Sequence, residues 1–169
     1  MKQKYQKWNK MLELFFEQPE KQFTLREIVK QTKIPLATAQ RYVKELQEQN
    51  IITREIKANA TPYFRFRKTF FLIDKLFTSD LMEYLEKEFS PSVIILFGSV
   101  RKGEYDKQSD IDIFVETTAE PKNISLKEFE KKLGHKIQLF IEKDINHLPK
   151  DLRNNIINGI KLRGYFQLK

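Results

Sequence analysis

The chain has 169 residues, 31 Lys+Arg against 23 Asp+Glu, a formal net charge of +8 and no cysteine. That length holds one medium domain or two small ones, and the absent cysteine excludes a disulfide framework and a thiolate zinc site. The longest uninterrupted apolar run, Val93–Phe97, is far too short to span a bilayer, and residues 1–10 are polar and Lys-rich, unlike a signal peptide. A cytoplasmic protein with no membrane partner is expected.

The charge is unevenly placed. Residues 1–68 carry 15 Lys+Arg and 7 Asp+Glu, so the whole excess lies there; residues 69–169 carry 16 of each. A basic segment beside a neutral one points to an acidic partner for the first, most simply nucleic acid.

Residues 5–17 place Tyr5, Trp8, Leu12, Phe15 and Phe16 at helical spacing, and Pro19 ends the run. Thr24 with Glu27 forms a capping-box pattern opening a second helix. Lys33-Ile34-Pro35 breaks it, and a third helix over residues 36–49 would bury Ala39, Val43 and Leu46. Residues 51–56 and 63–67 alternate as two strands around a turn-like segment. Two helices, a turn, a helix and a hairpin is the order of a winged helix-turn-helix domain, and FTLREIVKQTKIPLATAQRYVKELQEQNIITREI resembles that family. On the third helix Thr38, Gln40, Arg41 and Lys44, with Ala37, face away from the core, as insertion into a major groove requires. The wing would add Arg54, Lys57, Arg65, Arg67 and Lys68. The resemblance implies double-stranded DNA as partner and, because half-site readers are two-fold, a homodimer.

Residues 69–89 read as a helical connector. Phe70, Ile73, Phe77, Leu81, Tyr84 and Leu85 form its apolar stripe, interrupted at Thr78-Ser79-Asp80, where Asp80 is placed to recap the chain. That stripe calls for cover from a neighbour or a second copy.

The segment VIILFGSVRKGEYDKQSDIDIFV carries the chemistry. A buried-type strand runs into Gly98-Ser99, and a second strand begins at Asp110-Ile111-Asp112. On a strand, carboxylates at i and i+2 share a face. Two adjacent carboxylates repel, so a fold that joins them implies a cation; Mg²⁺, with Mn²⁺ as a substitute, suits clustered carboxylates and phosphate oxygens. Gly98 allows close backbone approach, and Ser99 would open a helix whose free N–H groups hold phosphate. Arg101 and Lys102 follow, placed to offset developing charge.

These residues resemble the Gly-Ser and Asp-x-Asp signature of the DNA-polymerase-beta superfamily of nucleotidyltransferases, in its minimal branch. The resemblance implies a nucleoside triphosphate as ligand, and a third carboxylate on a later strand. In the matching run, Ile137-Gln138-Leu139-Phe140-Ile141, that position is Gln138, a neutral amide that cannot serve as a general base. Glu142 shares its face about 13 Å further on. Further along, Ser125 and Glu128 read as another capping box, Gly134 ends that helix, Gly159 stops one carrying Leu152, Ile156 and Ile157, and residues 160–162 form a last strand. His135 and His147 read as solvated loop or helix-end residues.

The expected architecture is α+β in two domains: a winged helix-turn-helix over residues 1–68, the connector over 69–89, and a mixed α/β nucleotidyltransferase-like sheet over 90–169. Three functions fit: a DNA-binding regulator whose second domain binds Mg²⁺–nucleotide with weak or lost transfer; a working nucleotidyltransferase; and, because the Gly-Ser to Asp-x-Asp spacing is that of the antitoxins of this branch, an antitoxin-like protein with a toxin-like partner.

Overall fold

In the computed structural model residues 2–120 and 124–166 are described, and they form two compact units, Met1–Lys68 and Thr69–Lys169. The division falls inside one helix. No helix among the described residues is long and apolar enough to cross a membrane.

The first unit is helical. Helix α1 (Lys2–Glu17) buries Met11, Leu12, Phe15 and Phe16. Helix α2 (Leu25–Thr32) opens on the expected capping box: the Thr24 hydroxyl accepts from the Glu27 N–H at 3.2 Å, and the Glu27 carboxylate accepts from the Thr24 N–H at 2.9 Å. Those bonds, with the neighbouring Lys21, hold the Glu27 carboxyl down to about 2. Lys33 ends α2 in the left-handed region, the buried Ile34 pins the turn, and α3 (Leu36–Glu48) follows with Ala39, Tyr42, Val43 and Leu46 inward. Edge-on contacts tie α1 to Phe23, just before α2, through Phe15, and to Tyr42 of α3 through Trp8.

The wing differs from its expectation. Residues 51–59 make a tight loop with one isolated bridge, Ile52 to Ala58. Residues 63–67 are not a strand; they lie in α4 (Pro62–Thr78). The Thr61 hydroxyl accepts from the Phe64 N–H at 3.1 Å, and Pro62 sits at the first helical position, where its missing N–H costs nothing. Phe64 then turns inward against Phe16. Arg65 and Arg67 are therefore helical residues, and the Arg67 guanidinium donates to the Tyr63 hydroxyl at 3.1 Å.

In the second unit the buried stripe of α4 is Thr69, Leu72 and Leu76, whereas Phe70 and Phe77 are exposed, so the expected stripe was rotated along this helix; its later members Leu81 and Leu85 are buried as expected. Helix α5 (Leu81–Phe89) begins after Asp80, whose side chain makes no cap; the Ser79 hydroxyl accepts from the Leu81 N–H instead. Four strands follow: β1 (Val93–Phe97), β2 (Ile111–Glu116), β3 (Ile137–Glu142) and β4 (Ile160–Gly164), in the sheet order β3-β2-β1-β4. β1 runs antiparallel to β2 and β4, and β2 runs parallel to β3. β1 is paired along both edges, and all five of its residues, apolar throughout, are buried whichever face they occupy. One face packs Val93, Ile95, Phe97 and Phe114 on Ile145 and on Ile156 of α8 (Lys150–Ile157). Between β1 and β2 lies the single turn α6 (Gly98–Lys102), and before β3 lies α7 (Lys127–Leu133). Helix α7 starts with Leu126 at its cap position and no side-chain bond, so Ser125 and Glu128 do not form a capping box. Starting one residue later than expected puts Glu128 out of step with Ser125. Gly134 ends α7 at φ +83, as expected.

Candidate functional site

The sheet register builds the site. Asp112, second residue of β2, has Phe97 as its partner on β1 and Gln138 as its partner on β3. Partner residues present side chains to the same face, so the Gln138 amide stands beside the Asp112 carboxylate at the end of the sheet where α6 begins. The position expected to bear a third carboxylate is thus adjacent to the aspartate, and it is neutral and exposed.

Gly98 closes the other side. It adopts φ +70, and a Cβ placed there would fall inside the Asp112 carboxylate. Only a residue without a side chain permits this approach. Its helix is held from beneath: Val100 is buried, and the Val100 carbonyl accepts from the buried Thr69 hydroxyl at 2.8 Å. The spacing of the motif gave no hint of Thr69. The opening N–H groups of α6 lack intrahelical acceptors by the geometry of any helix start, and the Ser99 side chain is half-buried beside them. Arg101 and Lys102 are exposed in the last turn of α6 and form no ion pair with any other described residue.

The two carboxylates are electrostatically frustrated. Burial, and then the neighbouring charge of Asp110, push the Asp112 carboxyl up from its ordinary value. Neither aspartate accepts a hydrogen bond or pairs with a cation from any other described residue, so no basic side chain plugs the site. A half-buried carboxylate beside a second, exposed one costs stability unless a cation joins them. Two carboxylates with an amide oxygen alongside are hard oxygen donors and fit Mg²⁺ or Mn²⁺, which are held through one or two carboxylates with the rest supplied by phosphates and water. No cluster of three or more His, Cys, Asp or Glu side chains suited to a metal occurs among the described residues.

Asp110 precedes β2 in a loop that sequence reasoning left unexamined. Ser109 and Asp106 exchange hydrogen bonds across a tight turn. Ring nitrogen Nδ1 of His135 lies 2.8 Å from the Ser109 carbonyl, and the ring meets buried Tyr105 edge-on. His135 is buried, at 5 % exposure, and not solvated as its sequence context suggests; His147 is exposed.

In the first unit the outward residues of α3 are where the spacing puts them. Ala37, Gln40, Arg41 and Lys44 are exposed and Thr38 is half-buried. Arg41 and Lys44 each reach a glutamate one turn on, Glu45 at 3.7 Å and Glu48 at 3.9 Å. Arg54 is exposed on the loop after α3, and Lys57 on the same loop pairs with Glu20 at 2.9 Å. Arg65 and Arg67 belong to α4, so they are not wing residues.

The sheet with its Gly-Ser turn and paired aspartates defines a nucleotidyltransferase-type domain, and the three-helix unit before it defines a helix-turn-helix. Family comparison agrees on both. Residues 79–162 match the nucleotidyltransferase domain model, and residues 10–55 match the IclR helix-turn-helix domain model. The chain joins an N-terminal helix-turn-helix domain to a nucleotidyltransferase domain. No curated protein and no solved structure matches it.

Proposed function

We propose that this protein is a DNA-binding regulator whose nucleotidyltransferase domain binds a Mg²⁺–nucleoside triphosphate and transfers its nucleotide weakly or not at all. The observation that carries this reading is the unpaired aspartate couple with Gln138 beside it. Asp110 and Asp112 would hold the ion, and Gly98 and Ser99 would seat the phosphates against the backbone at the start of α6. Arg101 and Lys102, whose side chains form no ion pair with any other described residue, would offset phosphate charge. When bound, the ion would neutralise phosphate oxygens and orient the triphosphate.

Transfer needs a base for the attacking hydroxyl. Gln138 occupies the adjacent position and cannot accept that proton; losing a general base costs about 10²–10⁴ in rate. Binding without efficient transfer suits a regulator that senses nucleotide while α3 contacts duplex DNA. A second reading, an active nucleotidyltransferase acting on a protein or nucleic-acid hydroxyl, including an antitoxin-like role toward a toxin-like partner, is favoured by one observation: no basic side chain among the described residues pairs with the two aspartates.

Incubation with labelled ATP, CTP, GTP and UTP plus Mg²⁺ separates the two. The regulator reading expects bound but untransferred nucleotide, binding lost in Asp110→Asn/Asp112→Asn, and transfer appearing in Gln138→Asp. Efficient transfer by the unaltered chain establishes the second reading. Undiminished nucleotide binding in the double variant removes the aspartates from both.

A further inference from the structure

Asp110 lies outside the ladder of β2, yet its backbone is gripped on both sides by one short stretch of chain. On its N-terminal side, the Ser109 carbonyl meets Nδ1 of His135 at 2.8 Å. On its C-terminal side, the Ile111 N–H donates to the Lys136 carbonyl at 2.8 Å. His135 and Lys136 are consecutive, and they follow Gly134, whose left-handed conformation swings the chain from α7 into β3. A carbonyl oxygen only accepts, so Nδ1 carries the proton in this contact. The imidazole is buried and braced edge-on by Tyr105, itself fully buried, at 5.7 Å and 87°. A buried ring with a fixed donor is a rigid tether, and the turn it holds is itself braced by hydrogen bonds between Asp106 and Ser109.

We infer that His135 is a positioning residue for the cation site: its Nδ1–H holds the Ser109 carbonyl so that the Asp110 carboxylate stays beside that of Asp112. The inference rests on the reading of the two aspartates as ligands of a divalent cation. Asp112 is fixed by strand pairing on both sides through Phe97 and Gln138. Asp110 precedes the strand, and the bond from His135 to the Ser109 carbonyl fixes the backbone on its N-terminal side. His135 does not touch the ion; it acts through the backbone of the residue before a ligand. Outer partners of this kind are worth about 10–100-fold in metal affinity.

The test is Mn²⁺ binding to the full chain by calorimetry, with thermal stability measured alongside. His135→Phe keeps the ring and its contact with Tyr105 but lacks the donor. His135→Asn loses the ring but keeps a side-chain N–H the same two bonds beyond Cβ as Nδ1. Loss of about 10–100-fold in Mn²⁺ affinity for His135→Phe, with His135→Asn staying within about threefold of the unaltered chain, is the expected result. Stability should follow a different order, because His135→Asn forfeits the packing. Affinity that falls in step with stability in both variants overturns the inference. So does unchanged affinity in His135→Phe when Asp110→Asn abolishes binding; that outcome leaves the cation reading intact. No Mn²⁺ binding by the unaltered chain overturns both.

Discussion

On α3 of the N-terminal unit, Arg41 and Lys44 each have a carboxylate one turn away, at 3.7 and 3.9 Å, all on exposed side chains. At the end of the C-terminal sheet, neither Asp110 nor Asp112 has a cationic partner among the described residues, and Asp112 is half-buried. The first pairs are worth a few tenths of a kcal/mol and dissolve in salt, so they yield readily to a phosphate. The second arrangement is unfavourable as it stands. One unit thus offers charge that is compensated and exchangeable; the other stores uncompensated charge at a place the backbone has cleared for it. The difference teaches where to look for a ligand. Exposed charge says little, because it is what any solvated helix carries, whereas half-buried like charge with no internal partner requires something from outside.

The comparison breaks most completely at Gly98. Gly98→Ala must abandon φ +70 or drive its methyl into the Asp112 carboxylate. The left-handed conformation alone costs about 1–2 kcal/mol, and the clash with a half-buried group brings the expected loss to about 3 kcal/mol or more. Urea unfolding should show this loss, and Mn²⁺ affinity should collapse with it. Duplex DNA binding should survive, since the lesion lies outside the helix-turn-helix. A stability change below about 1 kcal/mol would mean the turn has room that its geometry denies.

Next in size is the opposite face of the comparison. If Arg41 and Lys44 exchange their glutamates for DNA, Arg41→Ala/Lys44→Ala should weaken duplex binding by about 10–100-fold and reduce the slope of log K against log salt by about 1–2. The fold should tolerate the change, because both side chains are exposed. Unchanged binding and slope, measured by anisotropy across a salt series, would remove α3 as the reader and leave its charges as ordinary solvated pairs.

How far the sequence disclosed these regions follows from the range of the interactions. The capping box at Thr24 and Glu27 is local, three residues apart, and appears as its pattern predicts. The same pattern at Ser125 and Glu128 fails, because a helix starting at Lys127 leaves the serine one position too early. The aspartates were legible because a strand puts alternate residues on one face whatever surrounds it. Gln138 was legible for the same reason, and the parallel register sets it against Asp112. Tyr63-Phe64-Arg65-Phe66-Arg67 misled: it alternates as a strand should, and only extension through Lys68, Leu72 and Leu76 reveals the four-residue period of α4's buried side. His135 could not be read at all. Its partner is 26 residues away, and nothing local distinguishes a histidine that tethers a loop from one that faces water.

The smallest expected effect is the most discriminating. Burial and Asp110 hold the Asp112 carboxyl above its ordinary 3.8, so the folded chain takes up a proton more readily than the unfolded one. The sign follows. This group's contribution favours folding at pH below 3.8, where it is protonated in both states, and is lost as pH rises through the higher folded value. At neutral pH without divalent ions Asp112 is therefore a liability, and Asp112→Asn should stabilise the chain. The gain should be small, about 0.5–1 kcal/mol, because the carboxyl remains partly hydrated. Adding Mn²⁺ reverses the order: binding to the native state raises the melting temperature of the unaltered chain and leaves the variant where it was. A purely structural aspartate would give the contrary pair of results, destabilisation on substitution and no response to the ion. The crossing of the two melting curves, with Mn²⁺ and without, distinguishes a carboxylate placed for a ligand from one placed for the fold.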